Sequence, residues 1–236
     1  MYNQILEALQ FLSTPEKRDF LPYFFKTGKG EYAEGDQFIG VVVPDSRKLV
    51  KEYWQKATLE DVQEILKSEF HEMRLVALLI LVTKFEKSKD EKEKKTLVDF
   101  YLKNTKYINN WDLVDLSCYK LLGRYCFENQ KDEILKKLSN SENMWEKRIA
   151  IVATMYHIKK GSHDLTIELA LNNLNHSHDL MHKANGWLLR EMGKKDEEKL
   201  LNFLKTHYQN MPRTSLRYAI EKLDEDLRQD FLKGRI

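Results

Sequence analysis

"RLVALLILV", residues 74–82, is a run with a single charge, and it returns in altered form along the chain. "WDLVDLSCY" (111–119) begins 37 residues later and "RIAIVATMY" (148–156) a further 37 after that. One more step of 37 lands on Asn185, inside "KANGWLLREMG" (183–193). Self-similarity at this period, with two helical segments per unit, is the signature of stacked helix pairs. One pair cannot bury its own apolar face, whereas stacked pairs share a continuous core. The spacing therefore predicts an all-α, HEAT-like α-solenoid of antiparallel helix pairs, forming one domain over residues 1–236. The apolar second helices are expected to line a concave surface, which suits an extended ligand such as a protein segment or a DNA backbone.

The segments around these runs agree. Amphipathic stretches cover about 73–87, 92–104, 111–127, 143–159, 163–173, 178–193 and 196–207, with a last pair near 212–222 and 225–233. Ser13, Pro15 and Glu16 in "STPEKRDFLPYFF" have the pattern of a capping box, and Thr58 with Asp61 repeats it more weakly. Connections such as "NSEN" and "KKGS" are short. One segment departs from this. "KTGKGEYAEGDQFIGVVVP" (26–44) contains four glycines, and Tyr32, Phe38 and Val41–Val43 have strand character around the turn signal "EGD". It reads as a structured loop or a short β-hairpin near 28–43, between the second and third helices.

Composition narrows the class. Apolar residues at 42% and charged residues at 32% are those of a globular protein, and Gly (9) and Pro (4) are few, as a helical chain requires. No apolar run is long enough for a membrane span, and no basic-then-apolar leader is evident, so the expectation is a cytoplasmic protein that makes no membrane contact. Cys118 and Cys126 would lie about 12 Å apart on one helix, too far for a disulfide. The formal net charge of +2 does not announce nucleic acid, so any basic patch must be local.

The chemistry concentrates on the repeated helices. Trp111, Asp115, Cys118 and Leu122 fall within about 60° of one another on a helical wheel, placing Asp115 at the edge of an apolar stripe. A carboxylate there needs a cationic partner, a backbone donor or a chemical role. Asp112 reads as an ordinary helix-start acid. Trp145 precedes Arg148 by three, and Trp187 precedes Arg190 by three, so three successive inner helices carry an indole one turn from a charge. Each pair alone is compatible with core packing and stacking. Their recurrence in register raises a shared site. His178 and His182 stand at i, i+4, but no third ligand has motif spacing, and neither metal nor cofactor is expected. No Gly-rich phosphate loop, nucleophile elbow or CxxC occurs.

"NNWDLVD" (109–115), "WEKRIAI" (145–151) and "KANGWLLRE" (183–191) resemble the motifs of the AlkD-type DNA alkylation repair family, in order and at similar spacing over nearly the whole chain. The resemblance implies a HEAT-like fold with a DNA-binding cleft, acting as a monomer on double-stranded or branched DNA, and excision of N3- or N7-alkylated purines without a tight base pocket. It also implies that Trp111, Asp115 and Trp187 form the catalytic cleft and that Arg148 binds phosphate. Arg190, Lys183, His182 and Trp145 are then expected DNA contacts. The sequence departs from the family's glycosylases at "GVVVP" (40–44), where Val41, Val42 and Val43 stand and no amide is offered. Members of the superfamily that carry a β-hairpin bind unusual or branched DNA without cleaving it, so a non-catalytic DNA-structure-binding protein is the second expectation. A protein-binding scaffold is the third.

Overall fold

The computed structural model describes residues 1–236. The chain packs as two compact units, Met1–Ser117 and Cys118–Ile236. It is all-α, and the only β pairing is an isolated bridge between Gln37 and Phe70. Each step of 37 in the sequence falls in a helix that follows a partner helix in the chain, as the repeat predicts.

The first unit contains α1 (Tyr2–Leu12), α2 (Pro15–Phe24), α3 (Val43–Tyr53), α4 (Leu59–Leu66), α5 (His71–Lys87), α6 (Glu91–Lys103) and most of α7 (Trp111–Cys118). Its centre is α5, buried without interruption from His71 to Val82 and again at Phe85. A helix apolar all round must be enclosed, and α3 and α4 pack against it. Thr58 forms the full reciprocal capping box with Asp61 at the start of α4. At α2 the cap is Thr14, whose hydroxyl accepts from Lys17 N–H. Ser13, the expected cap, instead donates to the Ile39 carbonyl at 2.5 Å and ties the helix to the loop that follows it.

That loop is not the β-hairpin expected near 28–43. It is built of consecutive tight turns, Glu31 N–H to Gly28 O, Glu34 N–H to Glu31 O and Asp36 N–H to Ala33 O. The carboxylates of Glu31 and Glu34 accept from Gly28 and Gly30 N–H. The segment forms no ladder, and its one β contact is the isolated bridge of Gln37 with Phe70. The residues with strand character are placed by packing: Ala33 and Phe38 turn into the core, and Tyr32 sits half-buried between solvated turns.

The second unit runs through a π-helical segment (Tyr119–Gly123) into α8 (Arg124–Asn129), then α9 (Asp132–Ser139), α10 (Met144–Ala153), α11 (Met155–Lys159), α12 (Asp164–Asn172), α13 (Asp179–Gly193), α14 (Glu197–His207), α15 (Arg213–Ala219) and α16 (Glu225–Lys233). The expected helix 111–127 runs unbroken through the π-helical segment, whereas 143–159 is interrupted at Thr154, whose hydroxyl donates to the Ile151 carbonyl. α10 packs on α9 and α13, and α13 packs on α15. Gly186 permits that last approach, since a Cβ there would lie 2.4 Å from the Ser215 carbonyl oxygen. Both cysteines are buried and reduced. No helix is long and apolar enough to cross a membrane.

Candidate active site

In the first unit the N-terminus of α5 is built from charged residues that the core encloses. His71, Glu72 and Arg74 are 2%, 1% and 6% exposed. Burial on this scale requires that every charge be paired or hydrogen-bonded. Glu72 accepts from three successive backbone N–H groups, Ile39 at 2.9 Å, Gly40 at 2.8 Å and Val41 at 3.1 Å. This carboxylate fixes the extended segment 39–41 across the helix start. Gly40 is required there: its φ is +99°, and a Cβ would fall 2.7 Å from Arg18 N and 2.9 Å from the Thr14 carbonyl.

His71 lies between two carboxylates. Its Nε2 is 2.8 Å from Asp112 and its Nδ1 is 3.2 Å from Asp36. Asp36 also receives Arg74 at 2.5 Å and Asn110 at 3.4 Å. Burial pulls the imidazole pKa down, but the charge and hydrogen bond of Asp112 and the hydrogen bond of Asp36 outweigh it, raising the pKa from 6.5 to about 9. Burial pushes Asp36 the opposite way, yet bonding to His71 and the charge of Arg74 leave its pKa lowered. The result is a closed ionic network of Asp36, His71, Arg74 and Asp112. Asp112 is therefore not an ordinary helix-start acid: it is buried, and its second oxygen caps Leu113 N–H.

Aromatic rings stack above the network. Phe38 lies on the His71 ring at 4.6 Å, Phe25 on Phe38 at 5.0 Å, and Trp111 on Phe25 at 5.3 Å. Phe24 meets Trp111 edge-on at 6.0 Å, and the indole N–H donates to the Tyr32 hydroxyl at 3.3 Å. A cationic imidazolium under aromatic faces is a favourable arrangement. Beside the stack opens a cavity of about 500 Å³. Rings of Phe24, Phe25, Phe38 and Trp111 wall one part and Val41–Val43 another, with Leu75 between them. Asp115, one turn beyond Trp111 and half-buried, also borders it.

The structure therefore brings Trp111 and Asp115 together on one cavity, along with residues that the sequence reading passed over: Asp36, His71, Glu72, Arg74 and Asn110. The remaining candidates belong to the second unit. Trp145 and Arg148 stand on α10, and His182, Lys183, Trp187 and Arg190 on α13. Arg148 is 5% exposed and donates to the Leu180 carbonyl at 2.5 Å, fastening α10 to the first turn of α13. Lys183 pairs with Asp179 at 2.8 Å, and Arg190 pairs with Glu221 and Glu191. His182 is bonded through Nε2 to the His176 carbonyl, and His178 caps α13 by accepting from Leu180 N–H. No group of three metal-ligating side chains assembles. Trp145 and Trp187 are half-buried.

Three comparisons bear on identity. Among solved structures, a chain described as a predicted DNA alkylation repair enzyme from Enterococcus faecalis is 18% identical, with a TM-score of 0.70 over 92% of this chain and 99% of that one. Likeness at that identity establishes a shared fold. No curated protein matches the chain. The family model for DNA alkylation repair enzymes matches residues 5–223. The chain belongs to the DNA alkylation repair enzyme family.

Proposed function

We propose that this protein is a DNA glycosylase that hydrolyses the N-glycosidic bond of N3- or N7-alkylated purines. The observation that carries this reading is that the Asp115 carboxylate and the Trp111 indole border one aromatic-walled cavity. An N3- or N7-alkylpurine is a cation, so its glycosidic bond is already weakened and needs no strong acid. As the C1′–N bond breaks, its electron pair passes to the ring nitrogen and the base departs neutral, while positive charge builds on the deoxyribose. A fixed carboxylate stabilises that oxocarbenium and orients water, whose oxygen bonds to C1′ as its proton is released. The indole face adds about 0.5–2 kcal/mol of attraction for a cation. Its stack on Phe25 and its bond to Tyr32 fix the indole's position in advance.

The partner in this reading is double-stranded DNA, bound by the monomer in the cytoplasm, where the nucleoid lies. Arg148, Lys183, Arg190 and His182 serve as phosphate contacts, with Trp145 and Trp187 as aromatic contacts to the DNA.

Single-turnover release of 7-methylguanine from a defined duplex tests the reading. Asp115→Asn keeps shape and removes charge, and excision should fall on the order of 10²–10³-fold with DNA affinity unchanged or improved. If Asp115 serves only a structural ion pair, the variant instead loses roughly 3–5 kcal/mol of stability, and activity is lost only through unfolding. A wild-type protein that binds duplex or branched DNA and excises nothing is a DNA-structure-binding member of the family.

A further inference from the structure

Trp111 and Asp115 both depend on how α7 begins, and that start is held from outside the helix. Asp112 gives one carboxylate oxygen to Leu113 N–H at 2.8 Å and the other to the imidazole of His71 at 2.8 Å. The buried Asn110 accepts from Trp111 N–H at 2.8 Å and donates to Asp36 at 3.4 Å. Asp36 in turn faces the second imidazole nitrogen at 3.2 Å. Both neighbours of the ring are carboxylates, which only accept, so both ring nitrogens have to donate. The geometry by itself thus calls for an imidazolium. A neutral ring satisfies one carboxylate and turns a lone pair on the other, inside the core, where an unmade bond is costly. The other charges nearby are engaged: Arg74 of the same helix binds Asp36, and Glu72 is turned to the backbone of 39–41. A second route to the indole runs through the rings that cover the imidazole. Phe25 lies 4.9 Å from His71 and stacks on Trp111 at 5.3 Å.

We propose that His71 is a positioning residue for base excision: its imidazolium draws the loop carboxylate Asp36 and the α7 carboxylate Asp112 together, and so sets the Trp111 indole and the Asp115 carboxylate for the reacting sugar. The proposal rests on the glycosylase reading for its consequence. His71 acts through α7 and through Phe25. Loss of its proton turns one of its two bonds into a repulsion, and the first turn of α7 shifts to relieve it. A small displacement at a catalytic carboxylate slows the chemical step and leaves phosphate contacts elsewhere intact. Excision therefore has an upper pH limit set by one proton, at about pH 9, and DNA affinity does not share it.

The test uses the full chain labelled with 5-fluorotryptophan. Of the four tryptophans, Trp111 gives the fluorine line that Trp111→Phe removes. Single-turnover release of 7-methylguanine at saturating protein, duplex affinity and the fluorine shift are read from pH 6 to 10, with circular dichroism on the same samples to select conditions where the chain is folded. Titration of the lesion itself is common to both proteins and cancels in the ratio of wild type to His71→Gln. That ratio should be roughly 10–100 at pH 7 and fall toward one as pH passes 9, with equal affinities. The fluorine line should move with the same midpoint in wild type and stay still in the variant. Should His71→Gln melt early, Asp36→Asn replaces it: the ring then keeps one carboxylate, and both midpoints should move to lower pH together. A ratio of one at every pH, with both chains folded, makes His71 a stability residue only, which overturns the positioning role and leaves the glycosylase standing. A ratio that stays high through pH 10 overturns the role of the charge. A wild type that releases no base at any pH overturns the glycosylase, and the fluorine line then decides. A transition near pH 9 that His71→Gln abolishes upholds the hold of His71 on the indole, and a line that does not move overturns it.

Discussion

The buried imidazole makes stability depend on pH in a direction that the network dictates. His71 has an ordinary pKa of 6.5 when unfolded and about 9 when folded. A pKa raised by folding means that folding takes up a proton, so the stabilisation is complete below pH 6.5 and is lost as pH rises through 9. At about 1.4 kcal/mol per unit, the shift corresponds to about 3 kcal/mol in all. Asp36 acts at the other end. Its pKa is lowered, so its contribution is present above the ordinary carboxylate value of 3.8 and is lost as pH falls through its folded value. Between about pH 4 and pH 6.5 both contributions are complete, and the first unit should be most stable there. Hydrogen exchange of the α5 amides at pH 5, 6.5, 8 and 9, corrected for intrinsic rates, reads this directly. Opening free energies should decline from pH 6.5 upward by up to about 3 kcal/mol, and His71→Gln should flatten the decline while lowering the value at pH 6. A ring-proton titration that places His71 below pH 7, or opening energies level from pH 6 to 9, would refute the reasoning.

Glu72→Ala leaves the N–H groups of Ile39, Gly40 and Val41 without an acceptor, and at about 1–3 kcal/mol each it should unfold the first unit at ordinary temperature, as circular dichroism and urea melts will show. Glu72→Gln retains one acceptor oxygen and should cost about half as much. Gly40→Ala combines a positive φ with contacts to the backbone of Arg18 and Thr14, and should cost roughly 2–5 kcal/mol in the same assay. Gly186→Ala places a methyl against the Ser215 carbonyl and should lower the melting point, although alanine is by itself the better helix former.

The helices were legible because their causes are local. Thr58 and Asp61 cap a helix through atoms three residues apart, and the run from Leu75 to Val82 is apolar on every face. Trp111 and Asp115 were legible for the same reason, being one turn apart. What could not be read is what depends on distant partners. "HEMR" at 71–74 looks like an ordinary polar helix start until Asp36, 35 positions earlier, and Asp112, 41 positions later, are seen to converge on its imidazole. The loop is not a hairpin because strand-favouring residue types cannot tell a strand from a chain that closes tight turns and buries Ala33 and the run 38–41. One signal was available: an apolar helix that opens with three ionisable residues among four has to bring their counter-charges with it.

Asp112 and Asp115 have separate fates although they stand three apart on one helix and share a face. Asp112 sits in the first turn, within reach of the imidazole on α5, and is enclosed by the core. Asp115 lies one turn further on, where the core gives way to the cavity. The first carboxylate is committed to a cation that the fold supplies. It also anchors the end of α7 from which Trp111 projects, so the network that holds Asp112 holds the indole as well. The second lines the cavity together with Trp111 and Leu116. In the proposed glycosylase, a cationic transition state in that space would meet a carboxylate and an indole that are fixed before it forms and need not reorganise around it.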